Sequence, residues 1–208
     1  MSQFIESIKI EDQEIFLLEL HQKRVNATFA HFGKEGSIDI AKIFKDLEHD
    51  ENGLYKLKIT YDLNKNFRTQ LIPYAISEIV DFQLIENNVY DYSFKFEDRK
   101  ELEKMISKAK ASEIIIVKNN HITDTSYSNL LFLKGKEWFT PSTYLLNGVQ
   151  RTHLLKNKKI KEAEITLQNI TEFSHFQLIN AMNDFDDMFI YPISKITNLP
   201  DRGDYSEI

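Results

Sequence analysis

Lys95 stands between two aromatic residues, Phe94 and Phe96, just ahead of a predicted helix. An amine held among apolar neighbours has its charged form destabilised, so it sheds its proton and becomes a nucleophile or base. The plainer role is an outward lysine on an amphipathic edge strand. Three other segments carry unusual local chemistry. In His21-Gln22-Lys23-Arg24, a histidine and an arginine three apart share one helical face, which is either a small cationic site or a solvated surface. Thr123-Asp124-Thr125-Ser126-Tyr127-Ser128-Asn129 surrounds one carboxylate with small hydroxyls, as a site or as a side-chain-stabilised turn. Gly148 directly precedes a predicted helix, where the first amide N–H groups and the helix dipole attract phosphate; many such glycines only make turns. Taken singly, none of the four carries a function.

The elements that must position them read as mixed α and β. Residues 4–10 and 14–16 are strands around the polar turn Glu11-Asp12-Gln13. A helix runs from Leu18 to Phe32 and stops at Gly33. A second helix spans residues 37–47 with Ser37 as N-cap. Strands follow at 56–61, 69–74 and 78–85, and the pattern breaks at Glu86-Asn87-Asn88. That break divides a small N-terminal α/β domain, residues 1–86, from a larger C-terminal α+β domain, residues 87–208. In the second, residues 98–110 are helical and Glu113-Ile114-Ile115-Ile116-Val117 is a buried strand. A short strand at 121–123, a hairpin around Lys134-Gly135-Lys136 and a helix from Gly148 to about Leu155 come next. The chain closes with strand, helix, strand and strand at 165–167, 170–173, 176–179 and 188–193. No internal repeat is visible.

Composition removes whole classes of function. With no cysteine, disulfides, thiolate catalysis and cysteine-ligated metals are excluded. The six histidines lack metal-ligand spacing, so no metal site is expected. G-x-G-x-x-G, G-x-x-x-x-G-K-[ST], H-E-x-x-H and G-x-S-x-G are all missing. A formal charge of −6 argues against nucleic acid as a partner while permitting a local basic pocket. No apolar run reaches about 18 residues, so no membrane span is expected. The start, Met1-Ser2-Gln3-Phe4-Ile5-Glu6, lacks the pattern of a signal peptide, which leaves a cytoplasmic enzyme or binding protein.

The order of the four segments resembles the class IV aminotransferases, the fold-type IV enzymes that use pyridoxal 5'-phosphate, and most closely their 4-amino-4-deoxychorismate lyase branch. Residues 4–10 are similar to that family's opening strand, and His21-Gln22-Lys23-Arg24 to its H-x-x-R. The stretch from Thr123 to Asn129 is similar to T-E-x-x-x-x-N, and Thr140-Pro141 with Leu146-Asn147-Gly148-Val149-Gln150-Arg151 to T-P…L-x-G-x-x-R. Asn180-Ala181-Met182 resembles the N-A/S-L/M turn of lyase-like members, and Arg99 falls where those often place an arginine. The resemblance implies a two-lobed α+β fold and a Schiff base on Lys95. It implies Asp124 against the pyridine nitrogen, with Asn129 continuing that motif. It further implies a phosphate cup from Arg24, Gly148, Val149, Gln150, Asn180 and Ala181. A homodimer is implied as well, and fifteen phenylalanines, nine tyrosines and one tryptophan could supply an apolar interface.

Three departures accompany the resemblance. The chain begins inside the family's first strand, so its preceding hairpin is expected to be missing. Asp124 replaces glutamate and is one methylene shorter. Asn183 to Met188 looks like a short insertion. The implied reaction takes a small-molecule amine, 4-amino-4-deoxychorismate, to p-aminobenzoate and pyruvate. An aminotransferase acting on branched-chain or D-amino acids is the rival, and a cofactor-binding protein without turnover is a third.

Overall fold

The computed structural model describes residues 2–47, 52–183, 185 and 189–199. The chain forms two compact units, Met1–Ile76 with Phe94–Asp98, and Ser77–Ser93 with Arg99–Ile208. The boundary read from the sequence, after residue 86, lies inside the stretch Ser77–Ser93 of the second unit. The expected insertion falls largely on residues 184 and 186–188, outside the described residues.

In the first unit, β1 (Phe4–Glu11), β2 (Glu14–Ile15), β3 (Leu54–Tyr61) and β4 (Phe67–Pro73) form an antiparallel sheet in the order β2-β1-β3-β4. Alternation puts Phe4, Ile8 and Ile10 on one face with Leu57, Ile59 and Tyr61 of β3. Helix α1 (Leu18–His31) covers that face with Val25 and Phe29. It ends in a Schellman arrangement: Gly33 N donates to Ala30 O, Lys34 N donates to Phe29 O, and Gly33 takes φ +66°. Helix α2 (Ile40–Lys45) is shorter than its sequence suggests. Its N-cap is Asp39, whose side chain accepts from Lys42 N, and not Ser37. Ser37 instead donates to Asn26 and accepts from Gln22.

The second unit holds an eight-stranded sheet. Its strands are β5 (Phe82–Glu86), β6 (Glu113–Lys118), β7 (His121–Thr125), β8 (Asn129–Lys134), β9 (Glu137–Pro141), β10 (Lys161–Ala163), β11 (His175–Ile179) and β12 (Ile190–Pro192). The strand expected over 78–85 starts only at Phe82, because its parallel partner β6 begins opposite at Glu113. Residues 165–167 form no strand of their own, whereas Lys161–Ala163, unremarkable in sequence, pairs parallel with β9. Ile114–Val117 are buried on both faces, as the uninterrupted apolar run requires. Helix α3 (Lys100–Lys108) buries Leu102 and Met105, and α4 (Val149–Lys156) packs Leu154 with Leu131, Ile160 and Ile179. Among the described residues no helix is long and apolar enough to cross a membrane.

Phe82 is fully buried, with its ring edge-on to Phe176 at 4.8 Å and to Tyr191 at 5.0 Å. Phe82→Ala is therefore expected to lower stability by about 3–5 kcal/mol. Val80→Ala, at an exposed position, should change it by less than about 0.5 kcal/mol. Equilibrium urea unfolding measures both, and equal midpoints for the two variants would contradict the packing described.

Candidate active site

The second unit brings most of the sequence-predicted residues into one bonded cluster. Asp124 and Asn129 face each other across the register of β7 and β8. Asn129 Nδ2 donates to Asp124 Oδ1 at 2.8 Å and to Leu146 O at 2.9 Å. Asp124 Oδ2 accepts from the backbone N–H of Leu145 at 3.0 Å and of Leu146 at 2.9 Å. Burial pushes the Asp124 carboxyl up to about 6, against the lowering effect of these donors and of the Arg151 charge. Three of a carboxylate's roughly four lone-pair sites are thus filled by N–H groups.

Gly148 is required here by proximity. Its φ is an ordinary −68°, but a Cβ added to it would lie 2.0 Å from Asn129 Oδ1. The Asn129 amide cannot swing away without giving up its bonds to Asp124 and Leu146. From Gly148 the chain enters α4, whose first intrahelical bond runs from Thr152 N to Gly148 O. The N–H groups of Val149, Gln150 and Arg151 precede that bond and have no acceptor within the helix. Arg151 fixes the helix start from behind, donating to Pro141 O and Glu162 and stacking over Tyr144. Asn180 and Ala181 follow β11, which pairs with β8 up to Ile179↔Asn129. Asn180 Nδ2 donates to Ser128 Oγ at 2.9 Å, and its Oδ1 accepts from Met182 N at 2.8 Å.

Arg24 and Lys95 lie in the first unit. Glu6 sits on the apolar face of β1 between Phe4 and Ile8, fully buried. Arg24 grips it bidentately, Nε to Oε1 at 2.9 Å and Nη2 to Oε2 at 2.5 Å, and His21 Nδ1 lies 2.6 Å from Oε2. Burial would raise the Glu6 carboxyl, but the Arg24 charge and the His21 hydrogen bond overcome it and hold it at about 2. Burial lowers the His21 pKa, which leaves a neutral ring donating from Nδ1. Phe94 and Phe96 pack on Phe4 and join the unit's core. Lys95 is the middle residue of a tight turn closed by Phe96 N to Phe94 O at 2.9 Å, and its own carbonyl accepts from Ile5 N at 2.8 Å.

Sequence reasoning missed three contributors. Glu6 was readable as a charge interrupting an apolar alternation. Glu113, buried and raised by desolvation, accepts from Ser126 N at 3.2 Å and Ser126 Oγ at 3.0 Å, and so holds the turn between Asp124 and Asn129. The Leu145 and Leu146 amides left no signal, since every non-proline residue has an N–H. A groove of about 550 Å³ on the first unit, bounded by Leu18, Gln22, Ser37 and Ile38, contains none of the candidate residues.

Chemically, the second-unit cluster offers a buried anion with one acceptor site left and a helix N-terminus rich in amides; the first unit offers a primary amine. The second-unit donors fit the ring and phosphate of pyridoxal phosphate. A cationic ring N–H beside Asp124 would offset the burial that raises its pKa, and the α4 amides suit a phosphate dianion.

The fold binds the Asp124 proton more tightly than the unfolded chain does, so this stabilisation is complete below about pH 4 and is lost as pH rises through about 6. Glu6 behaves oppositely, contributing stability above about pH 4.5 that is lost as pH falls through about 2. In a carbon-13 carboxyl titration of cofactor-free protein, Asp124 should titrate near 6 and Glu6 near 2; reversed midpoints would refute the assignment. Gly148→Ala should cost about 1–3 kcal/mol in urea unfolding, by displacing Asn129 and leaving a buried acceptor short of donors.

A solved structure of a provisionally assigned 4-amino-4-deoxychorismate lyase from Haemophilus somnus 129PT matches 89% of this chain and 98% of its own. It is 32% identical, with a TM-score of 0.82. An uncharacterized protein of Haemophilus influenzae is 32% identical over 187 residues, 88% of this chain and 99% of that one. The branched-chain amino acid aminotransferase of Escherichia coli shares the fold at 14% identity and a TM-score of 0.71, over 95% of this chain and 77% of its own. A model of the amino-transferase class IV family matches residues 3–196, and the chain therefore belongs to the class IV aminotransferases, a family of pyridoxal-phosphate-dependent enzymes.

Proposed function

We propose that the protein is a pyridoxal-phosphate-dependent lyase that converts 4-amino-4-deoxychorismate to p-aminobenzoate and pyruvate for folate synthesis, working as a cytoplasmic homodimer. The observation that carries the lyase over the transaminase is the Asn180-Ala181-Met182 turn, closed on itself by Met182 N to Asn180 Oδ1 and tied to Ser128. The 32% identity to a protein described as such a lyase supports the same choice.

Bound to the chain, the cofactor supplies an aldehyde carbon for an amine and a ring that withdraws electrons from the carbon beside it. Asp124 would keep the ring nitrogen protonated, and Asn129 with the Leu145 and Leu146 amides keeps Asp124 in place. The amides of Val149 and Gln150 and the turn at Asn180–Ala181 would receive the phosphate. Arg24, held by Glu6 through two of its donors, would lend the phosphate the rest. Lys95 would hold the cofactor through its primary amine. With substrate bound, the free Lys95 amine would remove the proton from the amine-bearing ring carbon. Loss of that proton would let the enolpyruvyl oxygen leave the neighbouring carbon with its bonding pair as the ring becomes aromatic, and Lys95 would give its proton to the departing enol, which becomes pyruvate.

Purified protein supplied with pyridoxal phosphate and 4-amino-4-deoxychorismate should release p-aminobenzoate and pyruvate in equal amounts, and Lys95→Ala should lower kcat by roughly 10³-fold or more. Absence of both products from the wild-type protein overturns the proposal. Conversion of the bound cofactor to its amine form by simple amino acids, with no such products, would assign a transaminase instead.

A further inference from the structure

The segment that carries Lys95 is an excursion. Chain on either side of it belongs to the second unit, while Phe94–Asp98 belongs to the first. Backbone bonds hold it to residues 3–5: Ile5 N donates to Lys95 O at 2.8 Å, and Glu97 N donates to Gln3 O at 2.8 Å. Phe94 and Phe96 anchor it on the apolar side, against Phe4. On the polar side a carboxylate anchors it. Glu97 Oε1 accepts from Arg68 Nη2 at 2.7 Å, from Thr60 Oγ1 at 3.3 Å and from Lys58 Nζ at 3.4 Å. These three donors come from the adjacent strands β3 and β4, and Thr60 and Arg68 are direct cross-strand partners. Glu97 therefore ties the lysine-bearing turn to both strands at once, two residues from the amine.

We propose that Glu97 is a positioning residue for Lys95: its contacts with Arg68, Thr60 and Lys58 hold the Lys95 turn against β1 and so present the amine for reaction with a carbonyl. A partly exposed ion-pair cluster of this kind adds little to global stability, because each side chain gives up conformational freedom for a screened attraction. A short segment outside helices and strands is different, since its local opening is governed by its own contacts. Loss of Glu97 is thus felt at Lys95 before it is felt in the fold. The role rests on the assignment of Lys95 as the reactive amine, and the test separates the two.

Wild-type protein, Glu97→Ala, Glu97→Gln, Arg68→Ala and, as a control on a remote exposed pair, Glu164→Gln are compared in two measurements. The first is the rate at which pyridoxal phosphate and borohydride label Lys95, read by peptide mass spectrometry. The second is amide hydrogen exchange of cofactor-free protein over residues 3–5 and 94–98. Glu97→Ala should slow Lys95 labelling at least tenfold and speed exchange in those segments at least fivefold. Its urea midpoint should stay close to wild type. Glu97→Gln, which keeps a neutral acceptor, should fall between Ala and wild type; Arg68→Ala should slow labelling about two- to fivefold; Glu164→Gln should match wild type. Wild-type labelling and exchange in both Glu97→Ala and Arg68→Ala overturn the proposal. If wild-type protein is labelled at other lysines and not at Lys95, the assignment of Lys95 fails, while the exchange data still decide whether Glu97 is the clamp.

Discussion

A carboxylate removed from water must be given donors or a proton, and in the second unit that demand organises everything around Asp124. Two amides from the Leu145–Leu146 turn and the Asn129 side chain meet it. Each donor then constrains its own surroundings. Asn129 also bonds Leu146 O, which pins the turn from its other side. Its carbonyl oxygen occupies the space a Cβ at position 148 would need, so the residue entering α4 has to be glycine. The helix start, the turn and the strand register are in this way consequences of housing one acid.

Glu6 faces the same demand in the first unit and meets it with charge. A bidentate arginine and a histidine donor outweigh burial and hold its pKa at about 2, whereas neutral donors leave that of Asp124 at about 6. The difference follows from the strength of charge-assisted bonds in a dry environment. It also bears on use. Glu6 has its cation already and behaves as a structural charge. Asp124 is bonded only to neutral donors among the described residues, with Arg151 acting through its charge alone, and a ligand bearing a positive N–H would be stabilised beside it.

Most elements were legible because local chemistry and tertiary packing agreed. The α1 helix ends at Gly33 since a left-handed residue closes its last turn, and the run Glu113–Val117 is a strand buried on both faces. Failures came where a distant partner decided. Ser37 and Asp39 are both good caps two residues apart, but Gln22 engages Ser37 and its carbonyl oxygen also accepts from Ile40 N, which leaves Asp39 to cap. Lys161–Ala163 becomes a strand because α4 returns it to β9, and nothing in its own composition says so. Phe94 and Phe96 flank Lys95 in sequence yet turn to Phe4 in space. Of the site, side chains with distinctive chemistry could be read, and backbone donors could not.

The substitution of aspartate for the family's glutamate at position 124 has a structural counterpart in that backbone. A side chain one methylene shorter reaches less far from β7, so its donors have to come to it. The Leu145–Leu146 turn does so, bringing two successive N–H groups within 3.0 Å of a single oxygen. So close an approach is compatible with α4 only because the residue opening that helix has no side chain to collide with Asn129. Turn position and glycine are thus coupled through Asn129, which bonds the one and crowds the other. A glutamate placed at 124 alone would drive its carboxylate into the turn. The longer acid could be accommodated only if the turn withdrew, and the amides that open α4 would shift with it.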